Sequence, residues 1–186
     1  MEITLTWDLL VIVFFAVVVA YSFIVGKDES VKIIISTYIA SVAVQGIGNM
    51  LSAVSGPSKA FFGLLGYTMD MNMVSTVKII LFVALIIVLA IKGGFAIVYE
   101  KELEGIWETV LTGAFGFATA GLLLSTLLTY IAARPLLDTT IDGSSSLAPL
   151  LLQSRLVQIM IDYQDLWFCV PALLLLGLGL LSNRKD

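Results

Sequence analysis

The sequence predicts an all-α integral membrane protein, with four to five transmembrane helices plus an amphipathic interfacial helix. Three observations carry that reading. Of 186 residues, 59% are hydrophobic and 13% are charged, with a mean hydropathy of +1.04, outside the range of soluble domains of this size. The apolar residues fall in runs of membrane length separated by glycine, proline and charge. Within the second run the polar residues return at helical spacing, which leaves one face for lipid and one for protein.

Composition also excludes functions. Ten Lys and Arg stand against fourteen Asp and Glu, a net charge of -4, and no basic cluster is present to grip nucleic acid or anionic lipid. Histidine is absent, which removes HExxH zinc sites, histidine-based triads and imidazole proton relays. The single Cys169 lies in an apolar run, has no internal disulfide partner and reads as a small packing residue. The chain is expected to be non-enzymatic and to need no cofactor. Its expected partners are the lipid bilayer and either a second copy or another membrane protein.

The first span is expected over residues 7–25, with Trp7 at the interface, Thr6 or Asp8 near the cap, and a length suited to a ~30 Å hydrocarbon core. Glu2 and Asp8 replace the basic start of a signal peptide and no small-residue cleavage site follows, so the span reads as a retained anchor. Gly26 to Ser30 reads as a tight turn that makes the first two spans a hairpin. The second span, 31–55, carries Thr37, Tyr38, Ser41, Gln45, Gly48, Asn49 and Ser52 on one face. Gln45 and Asn49 are expected near mid-span, where an unpartnered amide costs roughly 2–7 kcal/mol, so other helices should close over them. Ser41, Gln45, Asn49 and Ser52 are the candidate intramembrane polar stripe.

Gly56-Pro57-Ser58 ends that span, and Lys59 to Tyr67 is too short to cross, so it should lie in the interface or re-enter. Asp70 and Asn72 offer too few ligands for a hard cation. In the third span, 74–98, Lys78 and Lys92 bracket an apolar run from Ile79 to Ile91, each able to snorkel towards a headgroup layer. Gly93-Gly94 permits a bend. Glu100, Glu102, Glu104 and Glu108 read as a solvated charge run.

The fourth span, 107–132, carries Thr109, Gly113, Gly116 and Ala120 on one face and Ala114, Ala118, Gly121 and Ser125 on the other. Small residues let backbones approach closely in lipid, so this helix should sit between two neighbours. Gly113, Gly116, Ala120 and Gly121 are the candidate packing positions. Arg134-Pro135 ends the helix. Asp138 to Ser146 reads as a loop, and its serines, without a histidine or lysine base, make no nucleophile site. An amphipathic helix is expected over 147–162, with Pro149 in its first turn and Ser154, Arg155, Gln158 and Asp162 on its polar face. The last run, 166–181, weakened by Pro171, is the fifth span. Six basic residues against four favour an outside N-terminus and a cytoplasmic C-terminus.

Several of these features are similar to the colicin V production protein family of small bacterial inner-membrane proteins, over about residues 1–162. They are the opening hairpin with Trp7-Asp8 at its head and Gly26 and Glu29 at its turn, Gly113-Ala114-Phe115-Gly116-Phe117 in the fourth span, and Ser146-Leu147-Ala148-Pro149-Leu150. The turn lacks the arginine usual beside that glycine, and the chain adds an apolar tail. The resemblance implies a multi-pass inner-membrane protein with an accessory role in toxin or peptide production or export and in envelope maintenance. The alternative is a small channel or transporter subunit whose polar path runs along the second span. With no Asp, Glu, Lys, Arg or His expected beside Gln45 and Asn49, interhelical glue is the favoured role for those amides.

Overall fold

A computed structural model of the chain describes residues 7–55, 71–93, 106–132 and 154–182. Among them the structure is all-helical: α1 (Trp7–Val25), α2 (Lys27–Ser55), α3 (Met71–Lys92), α4 (Ile106–Ile131), α5 (Arg155–Asp162) and α6 (Gln164–Ser182). Lys59 to Tyr67, Asp70, Glu100 to Glu104, Asp138 to Ser146 and residues 147–153 lie outside the described residues, as do the side chains of Ser52 and Asn72.

The helices follow from the apolar runs, because in lipid each backbone N–H and C=O must be satisfied within its own segment. α1, α2, α3 and α4 are each long and apolar enough to cross a membrane. The turn between α1 and α2 is tighter than the sequence suggests. Gly26 alone breaks the helix, at a φ of 86° that a side-chain-bearing residue rarely adopts. Lys27 to Ser30, expected as turn, instead form the first turn of α2, where Asp28 and Glu29 suit the positive end of the helix dipole. The Ser30 hydroxyl donates back to the Gly26 carbonyl at 3.0 Å.

α5 and α6 are a bent pair. Tyr163 caps α5 through its N–H to Ile159 O, and its own carbonyl accepts from the N–H groups of Leu166 and Trp167, so α6 starts at once at a 64° bend. Counted as one span, the pair is a fifth candidate crossing. Ser154 is not on an exposed polar face. It is buried as the N-cap of α5, and its Oγ accepts from the Val157 N–H at 3.2 Å. Cys169 points out of the bundle and packs against nothing in the core.

α4 is the axis of the bundle and packs against all five other helices. Three buried clusters form along it. Towards its C-terminal half, Leu124 and Leu128 meet Val11, Val157, Met160 and Trp167. Phe115 and Leu122 meet Val31 and Ile34 of α2 and Leu178 of α6. Tyr130 meets Ala40 and Val44 of α2 and Phe82 of α3. The Lys27 ammonium lies 4.0 Å from the Glu108 carboxylate, so the α1–α2 turn and the start of α4 share one end of the bundle. Trp7 packs beside Ile131 and Ala132 at the other end.

Candidate functional site

The face of α2 that carries the polar stripe is divided by depth. Thr37 and Ser41 are buried, and each hydroxyl donates to its own helix, Thr37 to Ile33 O at 2.7 Å and Ser41 to Thr37 O at 2.8 Å. Opposite them α4 presents Thr112, Thr119, Thr126 and Thr129, also buried and each bonded to a carbonyl one turn back at 2.7–2.8 Å. These small hydroxyl side chains spend their protons within their own helices.

Gln45 and Asn49 behave differently. The midpoint of α2 is Ser41, so both amides lie in its second half rather than at mid-span. They do not tie α2 to another helix. The Gln45 amide nitrogen donates to Asn49 Oδ1 at 3.3 Å within α2, Asn49 is exposed, and Gln45 Oε1 is buried without a partner. Other helices therefore close over Ser41 but not over Asn49. A charge also lies beside them, contrary to the sequence expectation: the stem of Lys78 on α3 crosses α2 at Gly48, and a Cβ there would collide with Lys78 Cε and lie 3.0 Å from its Nζ. The signal in the sequence is the glycine itself, one turn from Gln45 and level with a lysine on the antiparallel neighbour.

The bonds that do join helices come from other residues and end mostly on backbone carbonyls. Tyr130 OH donates to Ser41 O at 3.3 Å, and Ser125 Oγ donates to Met160 O at 3.0 Å. Tyr38 OH donates to Phe168 O, in the turn of α6 that Pro171 weakens by lacking an N–H. Carbonyl acceptors of this kind leave no trace in a side-chain pattern.

The small residues of α4 lie where two neighbours come close. A Cβ at Gly116 would lie 2.7 Å from Ser22 Cβ and 3.3 Å from the Val19 Cα of α1, and one at Gly113 would lie 3.2 Å from Phe23 Cζ. On the opposite side the Trp167 indole of α6 occupies the place of a side chain at Gly121. Ala120 is fully buried. Phe15, Phe117 and Trp167 form a ring cluster beside this contact, with centroids 5.1–5.7 Å apart.

At the end of the bundle near Trp7, one carboxylate joins the first helix to the fifth. Asp8 Oδ1 accepts from Ser154 Oγ at 2.6 Å and from the Leu156 N–H at 3.1 Å, so Asp8 and Ser154 together satisfy the first turn of α5. Below this latch an open apolar recess of about 680 Å³ runs along α1, from Val11 to Phe23, with Phe117, Leu156, Met160 and Trp167 on its other wall. Among the described residues no group of three or more Cys, Asp or Glu side chains converges to hold a metal ion. No family model, curated protein or solved structure matches this chain.

Proposed function

We propose that this protein is a non-enzymatic component of the bacterial inner membrane, with the accessory role in peptide or toxin production or export and envelope maintenance that its likeness to colicin V production proteins implies. It acts by packing against a partner in the bilayer, either a second copy or another membrane protein. The observation that carries the reading is the use of polar groups inside the bundle: the buried hydroxyls of α2 and α4 are bonded to carbonyls of their own helices, and Tyr130 joins the two helices through Ser41 O. A conduction pathway would instead need polar groups facing a shared opening, and the recess along α1 is apolar. The orientation we propose is N-terminus outside and C-terminus cytoplasmic, on the excess of basic residues at the end that holds Lys27 and Lys32.

Deletion of the gene in a toxin-producing strain, with toxin assayed inside and outside the cell, tests the export role: extracellular toxin should fall while synthesis continues. Equal export would remove that role. Proteoliposomes holding the purified protein should leak ions and small polar solutes no faster than empty ones. A flux abolished by Gln45→Leu would replace this reading with the channel. Cysteines placed at Ser30, Ser144 and Asp186 in Cys169→Ser protein test the orientation, and only position 144 should react with an impermeant thiol reagent from outside.

A further inference from the structure

Lys78 of α3 lies within a span without an opposite charge beside it, whereas Lys92 stands at the end of the same span. Lys78 lies four residues into the apolar stretch that starts at Val74, and among the described residues the ion pairs are Lys27–Glu108 and Lys32–Glu29 only. An unpaired ammonium in a membrane span is costly, and the chain directs its side chain along a defined course. Gly48 provides the notch: without a Cβ it lets the end of the lysine stem lie against the α2 backbone, with Nζ 3.0 Å from where that Cβ would be. Gln45 lies one helical turn away, about 5–6 Å between side-chain origins at this spacing, and its Oε1 is a buried acceptor without a partner. Asn49 Oδ1 accepts from Gln45 Nε2, which leaves the Asn49 NH2 as a donor at an exposed position.

We propose that Lys78, Gln45 and Asn49 form a binding site for the phosphate of an anionic glycerophospholipid, seated between α2 and α3. The ammonium supplies the charge, Gln45 Nε2 fixes the Asn49 amide by donating to its Oδ1, and the Asn49 NH2 donates a second bond to a phosphate oxygen. The neighbouring side chains decide between a lipid and a free anion. Val42 and Met50 share the exposed side of α2 with Asn49, a surface that needs hydrocarbon beside the phosphate. A lipid satisfies both requirements with one molecule, and Lys78, in the N-terminal half of α3, places its headgroup towards the end of the bundle that also holds Trp7 and Asp8.

The test compares protein in nanodiscs of phosphatidylcholine alone with protein in equal parts phosphatidylcholine and phosphatidylglycerol, reading phosphatidylglycerol retained per chain by native mass spectrometry. Lys78→Gln should lower retention about fivefold, as expected for one cation at a membrane surface, and Gly48→Ala should lower it by displacing the lysine. Lys78→Arg and Lys92→Gln should retain wild-type levels, the latter because Lys92 is exposed at the opposite end of the same helix. Equal retention by wild type and Lys78→Gln would overturn the site. So would a loss in Lys92→Gln as large as in Lys78→Gln, which would mean diffuse attraction. Inorganic phosphate added in detergent is the second arm: it should not raise the melting temperature, and a rise matching that given by phosphatidylglycerol would assign the site to a free anion and overturn the lipid.

Discussion

α3 and α4 are both apolar helices long enough to cross a bilayer, yet 6% of the α3 span is buried inside the protein against 61% of the α4 span. The difference runs opposite to the rule for soluble proteins. α3 holds an unbroken apolar run from Ile79 to Ile91 and turns the aliphatic Ile80, Val83, Ile87, Val88 and Ile91 outward. α4 interleaves Gly113, Gly116, Gly121, Thr112, Thr119, Ser125 and Thr126 with its leucines and keeps them all against other helices. Lipid tails are as apolar as leucine, so a purely aliphatic surface gains little by leaving them. Glycines and hydroxyls gain close backbone contact and local hydrogen bonds, so the less apolar helix becomes the centre.

This contrast can be broken by substitution, and the largest effect should come where two backbones meet. Gly116→Leu would drive a side chain into Ser22 and the Val19 backbone, and destabilisation at the upper end of the usual ~1–3 kcal/mol for overpacking is expected in reversible detergent unfolding. Gly46→Leu is the control, because a Cβ there meets nothing within 4 Å and stability should hold. A comparable loss in both would mean that close approach is not what sets the centre of the bundle.

Next in size should be the latch at Asp8. Asp8→Ala removes the acceptor of the Ser154 hydroxyl and the Leu156 N–H at the start of α5, and a loss smaller than at Gly116 but larger than that of one interhelical hydrogen bond is expected in the same unfolding measurement. Protease protection of the segment around Ser154 should fall in the same variant while α2 and α3 stay protected. Unchanged protection would show that Val157 and Met160 hold α5 without the carboxylate.

Tyr130→Phe removes one bond to Ser41 O and leaves the ring against Phe82, so the expected loss is about 0.6 kcal/mol, the average for interhelical hydrogen bonds in membranes. The smallest effects belong to the outer surface. Gln45→Leu gives up a bond within one helix, worth roughly 0.2–0.5 kcal/mol, and also removes an unpartnered buried oxygen, so melting should shift by no more than that. Val83→Ala on the lipid face of α3 should behave alike. A large loss in either would move the boundary between core and lipid face.

The sequence made the class and most helix positions readable because each rests on local composition: Trp7 to Val25 and Ile106 to Ile131 are visible as runs. The two-sided spacing of small residues in the fourth span was equally local, and Gly116 and Gly121 stand against α1 and α6 on opposite sides. What depends on depth or on distant partners was not readable. Gln45 and Asn49 were placed at mid-span because the start of α2 at Lys27 hid within a charged stretch that resembles a turn. Lys78 reads in the sequence as a snorkelling residue of one helix, because its meeting with Gly48 depends on how α3 stands against α2. Ser154 resembled a member of an exposed polar face because its partner, Asp8, belongs to another helix.

The Asp8 contact also orders events during synthesis. The carboxylate leaves the ribosome well before its partners Ser154 and Leu156, which follow 146 and 148 residues later. At the ~5–20 residues per second of chain growth, the first helix waits roughly 7–30 s before its acidic head is claimed. During that interval α1 and α2 can insert as a hairpin with Asp8 still hydrated, and α3 and α4 can enter beside them. Among the described helices α5 and α6 are made last and close the packing around α4, so a nascent protein arrested before Ser154 carries α1, α2 and α3 against α4 but lacks the bent pair that seals it.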